Sequence, residues 1–479
     1  MIQSSFQIFA TGDARAVLDP ACRLAARARL LAIRILAKGL GALAIVATLC
    51  VPASAAPMGS GHDSWDGIDK DGRIPKVAKP DDLSHPERWR YIPEGRLRPG
   101  NVFQRFIVSS FIAPFFFRDS DVGFGGGIAV VDIDFREQRR REFLAVLGSY
   151  TVEGQQAYRV TWRRWLHQRE VQGGGVLQEE RSFLWAAGGY EHSLTRRFFG
   201  FGADSSKGDE SSYSDETAFG RVGIDLALPG PGDDFVLGVG LMGEWHSLGS
   251  GHVSGEPDTR DAYAGIFSRA EDQSLGWLEL ELRYDTRDSQ RQPYRGFSVG
   301  IEIDSALVQS HSDVGSVFSL SGTKLFPVPP LLHDGGDAQE ENPPTDTLAF
   351  LLETSTIAGD LPFFSHPSLG GSRTLRGFIA GRFRDDSSWH GSVEYRFWVM
   401  PRGFPIPFVD AIRVERAGIA LFGDVGSVAG DWPDLFHSRV KANGGIGFRL
   451  TLERSAPLRI DIGFSGEDVQ VTGGFGLSF

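Results

Sequence analysis

The chain has 479 residues, 41% of them hydrophobic, with 60 glycines, 35 phenylalanines and a formal net charge of −12. Such acidity argues against a nucleic-acid partner, because nucleic-acid phosphates bind basic surfaces. After residue 55 no apolar run reaches the roughly 18 residues of a transmembrane helix, so crossing a membrane would require β-strands.

Residues 1–55 are predicted to be a secretory signal peptide. A basic segment over 23–38 precedes an apolar run over 39–51, and small residues at 53–55 form a cleavage pattern. Both cysteines of the chain lie in this leader. The mature protein is therefore expected to contain no disulfide, thiol nucleophile or thiol metal site.

Residues 56–100 are polar and rich in proline, which predicts a loosely ordered periplasmic extension. An acidic run over 66–71 resembles a calcium-binding loop, but Gly67 and Ala78 stand at two of the required ligand positions. A solvated acidic turn is the better interpretation, so neither a metal nor a cofactor is expected.

Alternation of apolar and polar residues begins after residue 100. Residues 277–286 read WLELELRYDT, which places leucines and Tyr284 on one face and charged residues on the other. A soluble sandwich would bury the apolar face, whereas an outer-membrane barrel exposes it to lipid. The long uninterrupted series of such segments favours the barrel. The predicted strands are 124–134, 142–152, 156–168, 182–191, 213–228, 234–247, 276–287, 295–307, 314–326, 346–357, 388–400, 415–424, 441–453, 457–465 and 470–479.

Residues 101–479 are thus predicted to form an all-β domain, a transmembrane antiparallel β-barrel. Single-chain bacterial barrels have even strand numbers, so sixteen strands are expected, with the missing one in 101–117 or near 170–180. The first strand is assigned to 124–135, whose glycines at 125–127 would weaken its pairing with the last strand, although tight turns explain them equally well. The polar stretches 203–216, 248–274 and 332–345 are predicted to be extracellular loops.

A glycine-rich motif, LGGSRTLRGF, occupies residues 369–378. Its two adjacent glycines permit a tight reversal of the chain, and its second arginine is Arg376. An arginine folded into a barrel requires an acidic partner. Glu394 and Asp424 on later strands have the inward phase, and either could bind the guanidinium in a bidentate geometry.

Several motifs occur in a fixed order along the chain. They are Phe199–Gly202, Tyr284–Asp288 (with Asp285, Arg287 and Asp288), Pro293 and Gly296, Arg376-Gly377-Phe378, and Phe422-x-Asp424-x-Gly426. In this combination the sequence resembles the BamA/TamA superfamily of outer-membrane barrels, the bacterial surface antigen family, from about residue 116 to 479. The resemblance implies a lumen-inserted extracellular loop in which Arg376 contacts Asp424 and Glu394. Characterised members carry periplasmic POTRA domains, whereas only residues 56–100 precede the barrel here, so the chain resembles short, barrel-only members.

The last predicted strand, 470–479, alternates and ends on Phe479, with its apolar residues facing lipid. Its Thr472, Gly474, Leu477 and Phe479 fit the C-terminal signal of outer-membrane barrels. This implies that the chain is a client of the barrel assembly machinery. In the family that it resembles, the seam between the first and last strands is where a lateral opening is thought to occur, and glycines at the seam are compatible with that.

The resemblance implies an outer-membrane barrel that inserts or translocates protein or another envelope component, without enzymatic chemistry. Its expected surroundings are outer-membrane lipids, the assembly machinery and a protein or lipid cargo, after export to the Gram-negative outer membrane. Two alternatives remain: a passive or structural barrel without a client, and an outer-membrane hydrolase. The hydrolase is disfavoured because Ser298, in a Gly-x-Ser-x-Gly match over 296–300, lies inside an alternating strand and not in a strand-to-helix turn.

Overall fold

The computed structural model describes residues 5–8, 69, 72–94, 110–119, 121–310, 313–406, 409–452 and 456–479. Its main feature is an antiparallel sheet of sixteen long strands, which confirms the predicted all-β barrel fold. In chain order the strands are β1 (Ser110–Asp119), β2 (Gly123–Asp132), β3 (Glu142–Thr151), β4 (Gln156–Trp165), β5 (Phe183–Phe198), β6 (Ser211–Leu228), β7 (Phe235–Ser250), β8 (Gln273–Asp285), β9 (Gly296–Gln309), β10 (Gly315–Val328), β11 (Asp346–Gly359), β12 (Ser387–Met400), β13 (Val409–Ala429), β14 (Lys441–Leu452), β15 (Ala456–Phe464) and β16 (Val469–Phe475).

The remaining described elements are short. The short strands are Ser5–Ile8, Trp89–Ile92, Gln168–Glu170, Val176–Glu179, Ser368–Leu369, Phe383–Arg384 and Phe404–Ile406. Two one-turn α-helices, Thr259–Ala262 and Ala264–Phe267, and the 3-10 turns Pro86–Arg88, Phe135–Glu137, Lys207–Asp209, Phe363–Ser365 and Pro433–Phe436 lie in the connections. Over the residues that the structure describes, none of the helices combines the length and the apolar character needed to cross a bilayer.

Each long strand pairs with the next one along the chain, as expected for an up-and-down barrel. On β8 and β9, for example, Leu280 lies opposite Ile303. Among the described residues β16 does not pair with β1, so the sheet is not closed. The free edge of β16 pairs instead with residues 5–8, which lie within the predicted leader.

The alternating pattern produces an apolar outer wall and a polar lumen. On β8, Leu280 and Leu282 are exposed on the outside of the barrel, whereas Glu279, next to Leu280 in sequence, accepts a hydrogen bond from Arg221 of β6 at 2.8 Å. Trp185 of β5 likewise donates its indole N–H to Asp225 at 2.9 Å. An apolar exterior around a hydrogen-bonded polar interior suits a strand barrel surrounded by lipid.

The connections separate into two ends, because successive antiparallel strands run in opposite directions. Residues 199–210, 251–272 and 360–386 lie at one end, which we call the loop end. Residues 332–345, predicted to be extracellular, lie at the opposite end, which we call the turn end. There Glu340 forms a bridge with Pro75, close to the start of the domain. This prediction was wrong because polarity marks a loop without indicating at which end of a barrel it lies.

The first barrel strand is 110–119, and not 124–135 as predicted, so the missing sixteenth strand overlaps 101–117, one of the two regions proposed for it. The glycines at 125–127 belong to β2 and pair with Phe115, Phe116 and Phe117 of β1. The three consecutive phenylalanines hide the alternation by which other strands were recognised. The glycines therefore lie one strand away from the seam.

Residues 72–94, here called the strap, cross the turn end and contact several connections there. Trp89–Ile92 pairs with Val176–Glu179, which in turn pairs with Gln168–Glu170, giving a small three-stranded sheet. Trp89 is buried against Leu177. The side chain of Arg88 binds Asp234 at 2.5 Å and donates to the carbonyl of Gly232 at 2.7 Å. The strap thus occupies part of the predicted 56–100 extension and is fixed to the barrel by apolar and polar contacts.

Replacing Arg88 should loosen the strap more than replacing the neighbouring Arg73. Arg88→Gln removes a guanidinium that is 6% exposed, at an expected cost of about 1 to 3 kcal/mol. Arg73→Gln is the matched control, because its ion pair with Asp337 is 34% and 47% exposed and should contribute below about 1 kcal/mol. Chymotryptic cleavage of the strap should accelerate only in Arg88→Gln. Equal cleavage rates in the two variants would contradict the assigned role of Arg88.

Candidate functional site

The loop that connects β11 to β12 folds back into the barrel through a tight turn. Gly370 has a φ of +111°, a conformation that side chains disfavour, and its N–H donates to the Thr374 hydroxyl at 2.8 Å. The N–H of Gly371 donates to the carbonyl of Phe378, and that of Phe378 to Leu375, each at 3.0 Å. These bonds hold the arginine between them in one fixed position.

Arg376 lies at the centre of a buried ionic network and is 1% exposed. Its Nη1 donates to Glu394 of β12 at 2.7 Å, and its Nε and Nη2 donate to Asp424 of β13 at 3.1 and 2.9 Å. Its backbone N–H also donates to Asp424, at 3.1 Å. The guanidinium carbon lies 3.6 Å from the ring centre of Phe422. The structure therefore brings together the arginine and both carboxylates that the sequence singled out.

Glu394 accepts hydrogen bonds from three arginines and so connects them in a wider network. Besides Arg376 it accepts hydrogen bonds from Arg396 and Arg449, each at 2.8 Å. Asp461 of β15 accepts from Arg449 and Arg459, each at 2.7 Å, and lies 3.7 Å from Arg376. Each buried charge faces an opposite charge, which is the condition under which such a network is tolerated in an interior.

The network extends beyond the residues that sequence reasoning identified. Strand alternation places Arg459 and Asp461 on one face of β15, and Arg449 and Thr451 on one face of β14. That phase could have indicated lumenal residues, but it does not show which strands meet the loop. The members not identified from the sequence include Ser392, Arg396, Asn443, Arg449, Arg459, Asp461 and Ser478.

Gly377 and Phe378 fill different roles in the loop. A Cβ added to Gly377 would lie 2.8 Å from the Cβ of Asn443 and 2.9 Å from the carbonyl carbon of Phe464, so the backbone of the loop touches the barrel wall there. Phe378 is buried beside Leu375 and Phe383, with its ring centre 5.3 Å from that of Phe383. Arg376 is thus followed by a glycine whose backbone contacts the barrel wall and by a phenylalanine that is buried in an apolar cluster.

The Tyr284–Asp288 motif lies elsewhere, at the end of β8 and the start of the β8–β9 connection, at the turn end. Arg287 donates from Nε and Nη2 to Asp285 at 3.0 and 2.7 Å, and Asp288 accepts the N–H of Tyr294 at 3.0 Å. Burial raises the pKa of the Asp288 carboxyl, although the backbone N–H groups oppose this. Gly296 has a φ of +104° and lies against the backbone of residues 286 and 287. These four residues shape the turn and do not contact Arg376.

The C-terminus enters the lumen and does not extend the last strand. β16 ends at Phe475, and Gly476 turns the chain with a φ of +89°. Ser478 then donates to Glu394 at 2.6 Å, and the carbonyl of Phe479 accepts from Arg396 at 3.2 Å. The prediction of an outward-facing strand to residue 479 was wrong, because a buried carboxylate binds the tail from inside.

The other predicted residues of the C-terminal signal have separate positions. Thr472 and Leu477 are 2% and 8% exposed, respectively, and Gly474 lies in β16 opposite Arg459. Leu477 borders a small cavity together with Tyr294 and Trp398. Ser478 and the carbonyl of Phe479 join the Arg376 network through hydrogen bonds.

Ser478→Ala should release the C-terminal tail without dismantling the network. It removes one hydrogen bond to a buried carboxylate, which contributes about 1.5 to 3 kcal/mol. Carboxypeptidase should then remove Phe479 faster, while the loop stays protected. Ser465→Ala is the control, because that hydroxyl accepts backbone N–H groups in the β15–β16 turn at the other end. Equal release of Phe479 from both variants would refute the anchoring of the tail.

Two features of the sequence resembled sites of other chemistry: the Gly-x-Ser-x-Gly match and the calcium-like run. Ser298 lies within β9, and its hydroxyl is 2.7 Å from the hydroxyl of Thr323 on the neighbouring strand. In the described ranges, no group of three or more His, Cys, Asp or Glu side chains is arranged to hold a metal ion. The predicted calcium-like run is only partly within the described residues.

Comparison with known proteins gives one family. The sequence profile of the Omp85 superfamily domain matches residues 187–479. None of the curated proteins matches the chain.

Three solved barrels are similar to this chain. BamA from Haemophilus ducreyi lacking POTRA domains 1-3 is 14% identical, with a TM-score of 0.45, and 77% of this chain and 70% of that chain are covered. CdiB from Escherichia coli is 12% identical, with a TM-score of 0.48 and coverages of 81% and 67%. CdiB from Acinetobacter baumannii is 13% identical, with a TM-score of 0.44; 77% of this chain is covered but only 59% of that chain.

Proposed function

Because this chain belongs to the Omp85 superfamily of outer-membrane β-barrels, we propose that it inserts or translocates protein or another envelope component at the outer membrane. The observation that carries the proposal is the family match over 187–479, which includes the lumenal loop and its ionic network. No part of that network resembles a nucleophile with its base, so the proposed role is transport without enzymatic chemistry.

The seam between β1 and β16 supports this role. Pro114 in β1 has no N–H to donate to a neighbouring strand, and β16 contains Gly473 and Gly474, which contribute no side-chain packing. Two such strands would pair weakly, and a weak seam is where a barrel can open toward lipid. The substrate in this proposal passes the seam, while the Arg376 loop keeps the neighbouring wall rigid.

The export of the chain is part of the same proposal. We expect residues 1–55 to be removed after about Ala55, so that N-terminal sequencing of the envelope protein begins near residue 56. Removal would free the edge of β16 that residues 5–8 occupy. The mature barrel would then reside among outer-membrane lipids as a client of the barrel assembly machinery.

Depletion of the protein should cause a selective envelope defect. Envelope proteomics and lipidomics after depletion should show the loss or mislocalisation of one class of component, restored by the wild-type chain. The complementing protein should fractionate with outer membrane and migrate differently on gels with and without heating. Unchanged protein and lipid profiles would reject the transport role and favour a structural barrel without a client.

A further inference from the structure

Three arginines from separate parts of the chain converge at the turn end. Arg90 comes from the strap, Arg163 from β4 and Arg291 from the β8–β9 connection. The guanidinium carbons of Arg291 and Arg163 lie 4.8 and 6.0 Å, respectively, from the ring centre of Trp165. The guanidinium carbon of Arg163 also lies 4.2 Å from the ring centre of Phe183. The indole thus brings two of the cations to one place.

One carboxylate stands between two of these cations. The Nε atoms of Arg90 and Arg291 lie 3.5 and 3.9 Å from Oε1 of Glu180, within ion-pair distance but too far for a good hydrogen bond to that oxygen. Arg163 is near the charges of Glu180 and Asp225. Burial, together with the repulsion of Arg90 and Arg163, lowers the pKa of Arg291 to about 9, so it is still a cation at neutral pH.

Five buried polar atoms in this cluster lack hydrogen-bond partners within the described part of the chain. Two are N–H donors of Arg90 and Trp165, and one is Oε1 of Glu180. The other two are both amide atoms of Gln178, whose side chain is fully buried. Gln178 lies directly opposite Arg90 in the small sheet, so the two side chains share one face. Buried polar groups are normally satisfied, and such a concentration requires a ligand or ordered water.

The hydrogen-bond donors and acceptors of the cluster indicate which chemical group the ligand carries. The cations and the N–H groups of Trp165 and Gln178 would bind the oxygens of an anion. The carbonyl of Gln178 and Oε1 of Glu180 are acceptors, and an oxyanion can donate to them only if it carries an O–H group of its own. A hydrogen phosphate or phosphate monoester has both negative oxygens and a P–OH group. Sulfate, fully ionised at neutral pH, has no O–H to donate and would be repelled by Glu180.

We propose that Arg90, Arg163, Arg291 and Gln178 form a binding site for the phosphate group of inorganic phosphate or a phosphate monoester, with Glu180 selecting the protonated oxygen. This site is independent of the Arg376 network and of the proposed transport role. The ligand is either a soluble phosphate in the lumen or the monoester headgroup of a lipid.

Calorimetric titration of the full chain in detergent, at neutral pH and constant ionic strength, tests the site. Inorganic phosphate should bind saturably, and sulfate at least about tenfold more weakly. Arg90→Gln and Gln178→Leu should each weaken phosphate binding about tenfold. Arg169→Gln is the control, because that arginine pairs with exposed Asp82 at the same end of the barrel and should leave binding unchanged.

A second variant separates recognition from folding. Glu180→Gln should keep phosphate binding and strengthen sulfate binding, which removes the discrimination between the two anions. A merely structural role for Glu180 would leave the ratio of affinities unchanged. Heat-dependent gel migration verifies that each variant is folded. If Arg90→Gln does not assemble, Gln178→Leu still tests the site, because it changes no charge.

Nanodiscs distinguish the two sources of the phosphate. Binding of inorganic phosphate in detergent identifies a soluble ligand. Retention of phosphatidic acid, a monoester, over phosphatidylglycerol, a diester, with loss in Gln178→Leu, identifies a lipid headgroup. Absence of phosphate binding together with equal retention of both lipids overturns the proposal, as does equal phosphate affinity in the wild type, Arg90→Gln and Gln178→Leu.

Discussion

Arg376→Ala should lower the free energy of unfolding by about 3 to 5 kcal/mol. The substitution leaves Glu394 and Asp424, which are 0% and 1% exposed, without the guanidinium that binds both of them. Water cannot easily replace it, because Phe422 and the loop cover the site. Urea titration of the refolded barrel in lipid vesicles gives the free energy, and protease added to intact cells reports exposure of the loop.

Arg439→Ala is the matched control at the loop end. Its guanidinium is 73% exposed and lies 4.0 Å from Asp204, which is 83% exposed. Such a surface pair contributes below about 1 kcal/mol. If Arg376→Ala and Arg439→Ala had the same stability and the same loop cleavage, the loop would not be held by its arginine.

Glu394→Gln should have the second-largest effect, a loss of about 3 kcal/mol. The amide keeps the shape of the side chain but leaves Arg376, Arg396 and Arg449 with one negative charge fewer. The same substitution weakens the bond from Ser478, so the loop and the C-terminal tail should loosen together. Faster protease cleavage of the loop and faster carboxypeptidase release of Phe479 from the same variant would report that coupling.

Glu353→Gln is the corresponding control for lumenal charge. Glu353 lies on the neighbouring strand, β11, and the described residues include no ion pair to it. Its substitution should leave loop and tail unchanged. Loosening of the loop without release of the tail in Glu394→Gln would show that the two are held separately.

The barrel was predictable from the sequence because its evidence is local. Alternation of charged and apolar residues in segments such as 277–286 is repeated along most of the chain, and it identifies strands without knowledge of their partners. β1 was missed because Pro114 and three consecutive phenylalanines at 115–117 interrupt that alternation. Family resemblance supplied the pairing of Arg376 with Glu394 and Asp424, which strand phase alone left as two candidates.

The parts that could not be predicted depend on contacts distant in sequence. Gly476 in a terminal strand is compatible with continued pairing, and only the buried Glu394, 84 residues from Ser478, explains why the tail turns inward. The strap likewise has no apolar periodicity, yet Trp89 is buried because it reaches Leu177 across the turn end. Polar loops give no sign of the end at which they lie, hence the wrong assignment of 332–345.

The most direct test of the anchored loop is a double-mutant cycle between Arg376 and Glu394. The free energies of unfolding of the wild type, Arg376→Met, Glu394→Gln and the double variant give the coupling between the two side chains. A direct buried ion pair at 2.7 Å predicts a coupling of about 2 to 3 kcal/mol, with the double variant far less destabilised than the sum of the single ones. A coupling near zero would contradict the account, because it would mean that the arginine and the carboxylate do not meet in the lumen.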